Sequence, residues 1–97
     1  MPKKSSKQSK TKTKRVEFEL FAPEAQNVSL AGDFNGWDVN ERPMKKDNKG
    51  NWKVGFPLPL GRYEYRFWVD GIWYDDTHAQ ERVENPFGSH NCVRIVS

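Results

Sequence analysis

The sequence is short of nearly everything that chemistry on a substrate requires. Its one cysteine, Cys92, excludes an internal disulfide and any cysteine-based zinc site, and in the apolar run CVRIV it reads as a buried thiol. Two histidines, His78 and His90, have no second His or Cys at ligand spacing and read as surface residues of loops. GxGxxG, P-loop and HExxH patterns are absent, so no cofactor is implied. Asp75 and Asp76 are neighbours, and neighbouring residues of a strand point to opposite faces, which suits strand-end carboxylates better than an acid and base pair. This inventory favours binding over catalysis, and no enzyme activity is expected.

Long apolar runs are missing too. Nothing approaches the ~20 residues of a membrane span or the apolar region of a signal peptide, so a soluble, cytoplasmic protein is expected. The first fifteen residues, MPKKSSKQSKTKTKR, hold no aliphatic or aromatic side chain after Met1. They cannot help build a core, so residues 1–15 are expected to be a disordered Lys-rich tail and residues 16–97 the folded domain. The tail carries seven basic residues and no acid; the remainder has nine against thirteen, a net of −4. Nucleic-acid affinity rests on clustered positive charge, so an acidic domain argues against such a partner, and the tail reads as a solvated extension.

What the chain does have is period-two alternation. VEFELFAP sets Val16, Phe18 and Leu20 against Glu17 and Glu19, and NVSLAGDF repeats the pattern with Val28 and Leu30. WKVGFPLPL reads as a third strand that Pro57 and Pro59 push toward an edge or an end. In RYEYRFWVDGIWYDD, Asp70-Gly71 lies between two β-rich runs and predicts a two-residue hairpin turn with positive φ. The loop HAQERVENPFGSH leads to a last strand, NCVRIVS. No segment shows a sustained helical period. The fold expected is all-β, an immunoglobulin-like antiparallel sandwich of about six to seven short strands.

Alternation also sorts the hairpin by face. Tyr63, Tyr65, Phe67 and Val69 form one set, and Arg62, Glu64, Arg66 and Trp68 the other; three charges on one face cannot enter so small a core, so the second set faces out. Trp73, two positions past the turn, falls near the end of the same sheet. Trp37 sits in LAGDFNGWDV, where Asn35 and Gly36 can bend the chain back over a sheet. Trp52 begins a strand and is compatible with either side. Several indoles near an Arg, in a domain that needs its aromatics inside, point to a binding face.

An exposed pair of indoles with planar hydrogen-bonding groups suits a pyranose, whose C–H faces lie on an indole while its hydroxyls meet Arg, Asn and backbone groups. Burying roughly 100 Å² per stacked sugar contributes about 2.5 kcal/mol before ordering costs. Nucleobases also stack, but they bring phosphates to an acidic domain.

VSLAGDFNGWD, then GNWKVGFPLPLGRYEYRFWVDGIWYDD, then NPFGSHNCVRIV, in this order and spacing, resemble the carbohydrate-binding modules of family 48. That family includes the glycogen-binding domain of the AMP-activated protein kinase beta subunit and the isoamylase N-terminal domain. The resemblance covers residues 16–97. It implies non-catalytic binding of α-1,4-linked glucan such as glycogen, starch or malto-oligosaccharides. Trp37 and Trp73 match the two stacking Trp residues, Arg66 the basic residue usually found as Lys, Phe87 the late-loop apolar residue often found as Leu, and Ser89 and Asn91 the accompanying hydroxyl and amide. The alternative is a protein interaction or adaptor module that uses the same sandwich with no sugar.

Overall fold

The structure, a computed structural model, describes residues 12–97. Most of the segment expected to be a tail lies outside them. Strand β1 (Thr13–Phe21) begins three residues earlier than alternation suggests, because β4 is long enough to pair Thr13, Lys14 and Arg15 with Pro59, Leu58 and Pro57.

The other strands are β2 (Val28–Gly32), β3 (Lys45–Lys46), β4 (Asn51–Pro59), β5 (Gly61–Val69), β6 (Ile72–Tyr74), β7 (Glu81–Glu84) and β8 (His90–Val96). They form the expected antiparallel sandwich. One sheet has the order β1-β4-β3, the other β2-β5-β8-β7 with β6 also paired to β5. Two strands were not legible in the sequence. β3 is only two residues long, and β7 exposes all but Val83, so neither leaves an alternating trace. β4 is the middle strand of its sheet rather than an edge, but β3 reaches only Lys53 and Trp52. Pro57 and Pro59 therefore fall where β4 has a partner on one side alone, and their missing N–H groups cost no ladder hydrogen bond there. Among the described residues the one helical element is a single 3-10 turn, Asp33–Asn35.

The hairpin forms as its turn residues require. Asp70 (φ 49°) and Gly71 (φ 85°) both adopt positive φ, and Val69 pairs with Ile72. This is the twist-matched two-residue loop that Asp-Gly favours. The Asp70 carboxylate also accepts from the N–H groups of Gln26 and Asn27, which fastens the turn to the β1–β2 connection.

The core lies between the sheets. Phe18 from one, and Leu30, Tyr65, Phe67 and Cys92 from the other, are fully buried. Tyr65 meets Phe18 edge-on at 4.9 Å, and its hydroxyl donates to Asp76 Oδ2 at 2.7 Å. Asp76 is itself buried and accepts from His78 N–H. Burial, then the Asp76 bond, pushes the Tyr65 hydroxyl far above the ordinary tyrosine range, and burial raises the Cys92 thiol above its usual 9.0. Both groups hold their protons more tightly folded than unfolded. The unfolded chain gives up these protons first as pH rises, so the contribution of the two groups to stability is complete below the ordinary thiol value of 9.0 and declines above it. Urea midpoints should fall steadily from that pH upward; a flat or rising series would contradict this.

Candidate functional site

The segment Gly32-Asp33-Phe34-Asn35-Gly36-Trp37 assigns a separate task to each residue. A Cβ on Gly32 would lie 2.5 Å from the Glu64 carbonyl oxygen and 2.8 Å from Tyr65 Cβ, so only glycine lets the chain pass this close to β5. Asp33 Oδ1 accepts from Trp37 Nε1 at 3.3 Å, and its Oδ2 from Glu64 N–H at 2.9 Å. Phe34 turns inward and packs on Phe56 (5.3 Å) and Phe18 (5.8 Å). Asn35 braces the bend: its Oδ1 accepts from Gly32 N–H, and its Nδ2 donates to the Leu30 and Asp38 carbonyls. Gly36 (φ 64°) and Trp37 (φ 62°) are both left-handed, and Trp37 N–H returns to the Gly32 carbonyl at 3.0 Å. An indole held at positive φ is unusual; here the surrounding hydrogen bonds hold it over the sheet.

On the sheet beneath, alternation holds. Tyr65, Phe67 and Val69 are buried, while Arg62, Glu64, Arg66 and Trp68 face outward. Trp73 pairs across from Trp68, their rings 4.7 Å apart at 63°. Trp68 thus buttresses Trp73 rather than presenting a face of its own. Trp73 in turn meets Trp37 at 6.1 Å and 73°, so the two indoles form walls inclined steeply to each other. Trp52 is buried and donates its Nε1 hydrogen to the Ala22 carbonyl.

Arg66 is nearly enclosed, with 13% of its side chain exposed. Its Nε donates to Asp75 Oδ1 at 3.1 Å, with Nη2 3.0 Å from the same oxygen in the ion pair, and its guanidinium carbon lies 5.7 Å from the Trp73 ring centre. The pairing leaves further N–H groups of the fork for a ligand.

The late loop is an Asn-initiated turn. Asn85 Oδ1 accepts from the N–H groups of Phe87 and Ser89, at 3.0 and 3.1 Å, and Gly88 takes φ 81°. Phe87 stands at its tip, 90% exposed. Asn91 donates through Nδ2 to Glu64 Oε1 at 3.0 Å and accepts at Oδ1 from Asn85 Nδ2 at 3.1 Å. One amide N–H and one lone pair remain free for a ligand.

These parts surround one open cleft of about 600 Å³, lined by Trp37, Arg66, Trp73, Phe87, Ser89 and Asn91, with Asn85 and Pro86. All six residues singled out in the sequence are brought together. Asn85 was missed, although Asn before Pro-Phe-Gly is a turn signal; Asp33 and Glu64 were missed because nothing local marks their partners. A larger cleft of about 720 Å³ lies between β1 and the segment after β6, near Phe21, Tyr74 and Asp75. It contains none of the six, and its walls are dominated by Glu17, Glu19, Asp75, Asp76, His78 and Arg94. The aromatic cleft carries one formal charge, Arg66, already paired with Asp75. It therefore favours an uncharged ligand with apolar faces and polar edges. Among the described residues, no helix is long and apolar enough to cross a membrane.

Comparison with known proteins identifies the family. A family model described as carbohydrate-binding module 48 (isoamylase N-terminal domain) matches residues 5–88. The chain is similar to the 1,4-alpha-glucan branching enzyme GlgB of Synechocystis sp., 38% identical over 84% of this chain and 10% of that protein. It is 36% identical, over 84% of its length and 15% of the relative, to the chloroplastic protein FLOURY ENDOSPERM 6 of Oryza sativa subsp. japonica. GlgB of Corynebacterium jeikeium is 33% identical over 73% of this chain and 10% of the enzyme. The chain thus spans 10 to 15% of the length of these relatives. With most of its length matched by the family model, the chain belongs to the carbohydrate-binding module 48 family.

Proposed function

We propose that the cleft binds α-1,4-linked glucan, with Trp37 and Trp73 as stacking platforms. Arg66, Ser89 and Asn91 hydrogen-bond the sugar hydroxyls, and Phe87 closes over the chain. The observation that carries this reading is the 73° inclination of two indoles 6.1 Å apart, in a cleft whose only charge is paired. An axial linkage turns each glucose of an α-1,4 chain relative to the last, so successive rings meet inclined walls. A β-1,4 chain is a flat ribbon and would need coplanar ones. The branching enzymes among the relatives are named for 1,4-alpha-glucan, which supports the same ligand class.

Two platforms at about 2.5 kcal/mol each correspond to a Kd of about 0.2 mM, which ordering costs weaken and the hydrogen bonds of Arg66, Ser89 and Asn91 offset. Titration with maltoheptaose should give a saturable change in tryptophan fluorescence, while cellohexaose at equal concentration gives none. No change at millimolar maltoheptaose would overturn the proposal and favour a protein partner on this face.

A further inference from the structure

The two halves of the cleft come from loops far apart in the chain, and both are fastened to one residue of β5. We infer that Glu64 is a positioning residue that joins them, through its backbone N–H to Asp33 on the first loop and its carboxylate to Asn91 beside the second. The inference rests on the glucan reading of the cleft.

The connections are continuous. Trp37 Nε1 donates to Asp33 Oδ1, and Glu64 N–H donates to Asp33 Oδ2 at 2.9 Å. From the same residue, Glu64 Oε1 accepts from Asn91 Nδ2 at 3.0 Å, and Asn91 Oδ1 accepts from Asn85 Nδ2 at 3.1 Å. Asn85 Oδ1 then holds the N–H groups of Phe87 and Ser89. Bare Gly32 is what lets the first loop approach the Glu64 backbone closely enough for this. The other Glu64 oxygen, Oε2, takes Arg62 Nη1 at 3.0 Å. Glu64 is held below the ordinary carboxylate range first by the Asn91 bond, against some desolvation and with help from Arg62, so it accepts at neutral pH.

Such an arrangement acts before the ligand arrives. Phe87 is 90% exposed and has no packing to fix its loop; the Asn85 turn, oriented through Asn91, does so instead. Removing the Glu64 carboxylate frees the Asn91 amide to turn, and the ligand must then order the loop at its own expense. Glu64 is part of an exposed ion pair with Arg62, so its loss changes fold stability little.

The test uses the full chain and maltoheptaose. Glu64→Ala should weaken binding about fivefold to tenfold with the urea midpoint nearly unchanged. Glu64→Gln, which keeps an acceptor oxygen for Asn91, should restore binding to within about twofold. Arg62→Ala should also stay within about twofold, since Arg62 does not line the cleft. In 1H–15N spectra, Glu64→Ala should move the Phe87 and Ser89 amide signals and Asp33→Ala the Trp37 indole signal. Wild-type affinity in Glu64→Ala, or binding by Glu64→Gln as weak as by Glu64→Ala, would overturn the role. If the wild-type chain bound no maltoheptaose, the glucan reading would fail, and the spectra would still decide the network: unmoved Phe87 and Ser89 signals overturn it.

Discussion

Trp73→Ala is expected to abolish retention on glycogen or amylose while leaving the domain folded. Trp73 is the common wall of the cleft: it meets Trp37 at 6.1 Å, Trp68 at 4.7 Å and the Arg66 guanidinium at 5.7 Å. Losing one stacked sugar removes about 2.5 kcal/mol, which weakens binding roughly fiftyfold to hundredfold. The fold should hardly register the change, because β6 is a three-residue strand in which Trp73 is 36% exposed. A cross-strand aromatic pair of this kind is worth about 1 kcal/mol or less. Trp37→Ala should act in the same sense. Trp52→Ala provides the contrast: that indole is buried, with its N–H on the Ala22 carbonyl, so the fold is lost before any selective loss of binding. Affinity chromatography with circular dichroism separates the cases, and undiminished retention by both Trp37→Ala and Trp73→Ala would rule out the glucan reading.

Phe18→Ala carries the largest expected loss of stability, about 3 to 5 kcal/mol. The ring is fully buried at the centre of the sandwich and contacts Tyr65 at 4.9 Å and both Phe34 and Phe56 at 5.8 Å. Arg94 covers it with its guanidinium carbon 4.5 Å from the ring centre. Deletion removes the transfer energy of a whole aromatic ring and leaves a cavity that strands on both sides are too well paired to fill. In a domain this small such a loss is a large part of the total stability. Phe34, which rests on Phe18, belongs to the segment that presents Trp37, so the damage should also reach the cleft. Urea denaturation measures the first effect. A loss below about 1 kcal/mol would show that the core does not centre on Phe18.

The strand faces were legible in the chain because a half-buried strand has a side-chain period of two, which needs no knowledge of the partner. That rule put Tyr65, Phe67 and Val69 inside and Arg66 and Trp68 outside, as found. Asp70-Gly71 was equally plain, since few other pairs tolerate φ 49° and 85° in succession. Of the six cleft residues, alternation and the turn pointed to Arg66 and Trp73, the bend of its loop to Trp37, and the resemblance to the family motifs alone named Phe87, Ser89 and Asn91; the structure gathers all six around one opening.

Other features have no local signature. β3 and β7 are too short or too exposed to leave a pattern, and the central place of β4 follows from which strands pair with it. Asp33 and Glu64 are 31 positions apart, so their hydrogen bond exists only once β2 lies beside β5 and Gly32 lets the backbones meet. The angle between Trp37 and Trp73 likewise arises from a left-handed bend on one loop and a strand register on the other. The sequence by itself determined the all-β class, the inward and outward faces of β5 and the outward Arg66, because side-chain chemistry and backbone preference are local. Only the tertiary structure decided how the two indoles incline, that Arg66 is neutralised by Asp75, and that Glu64 ties both loops together, because those depend on distances between segments remote in the chain.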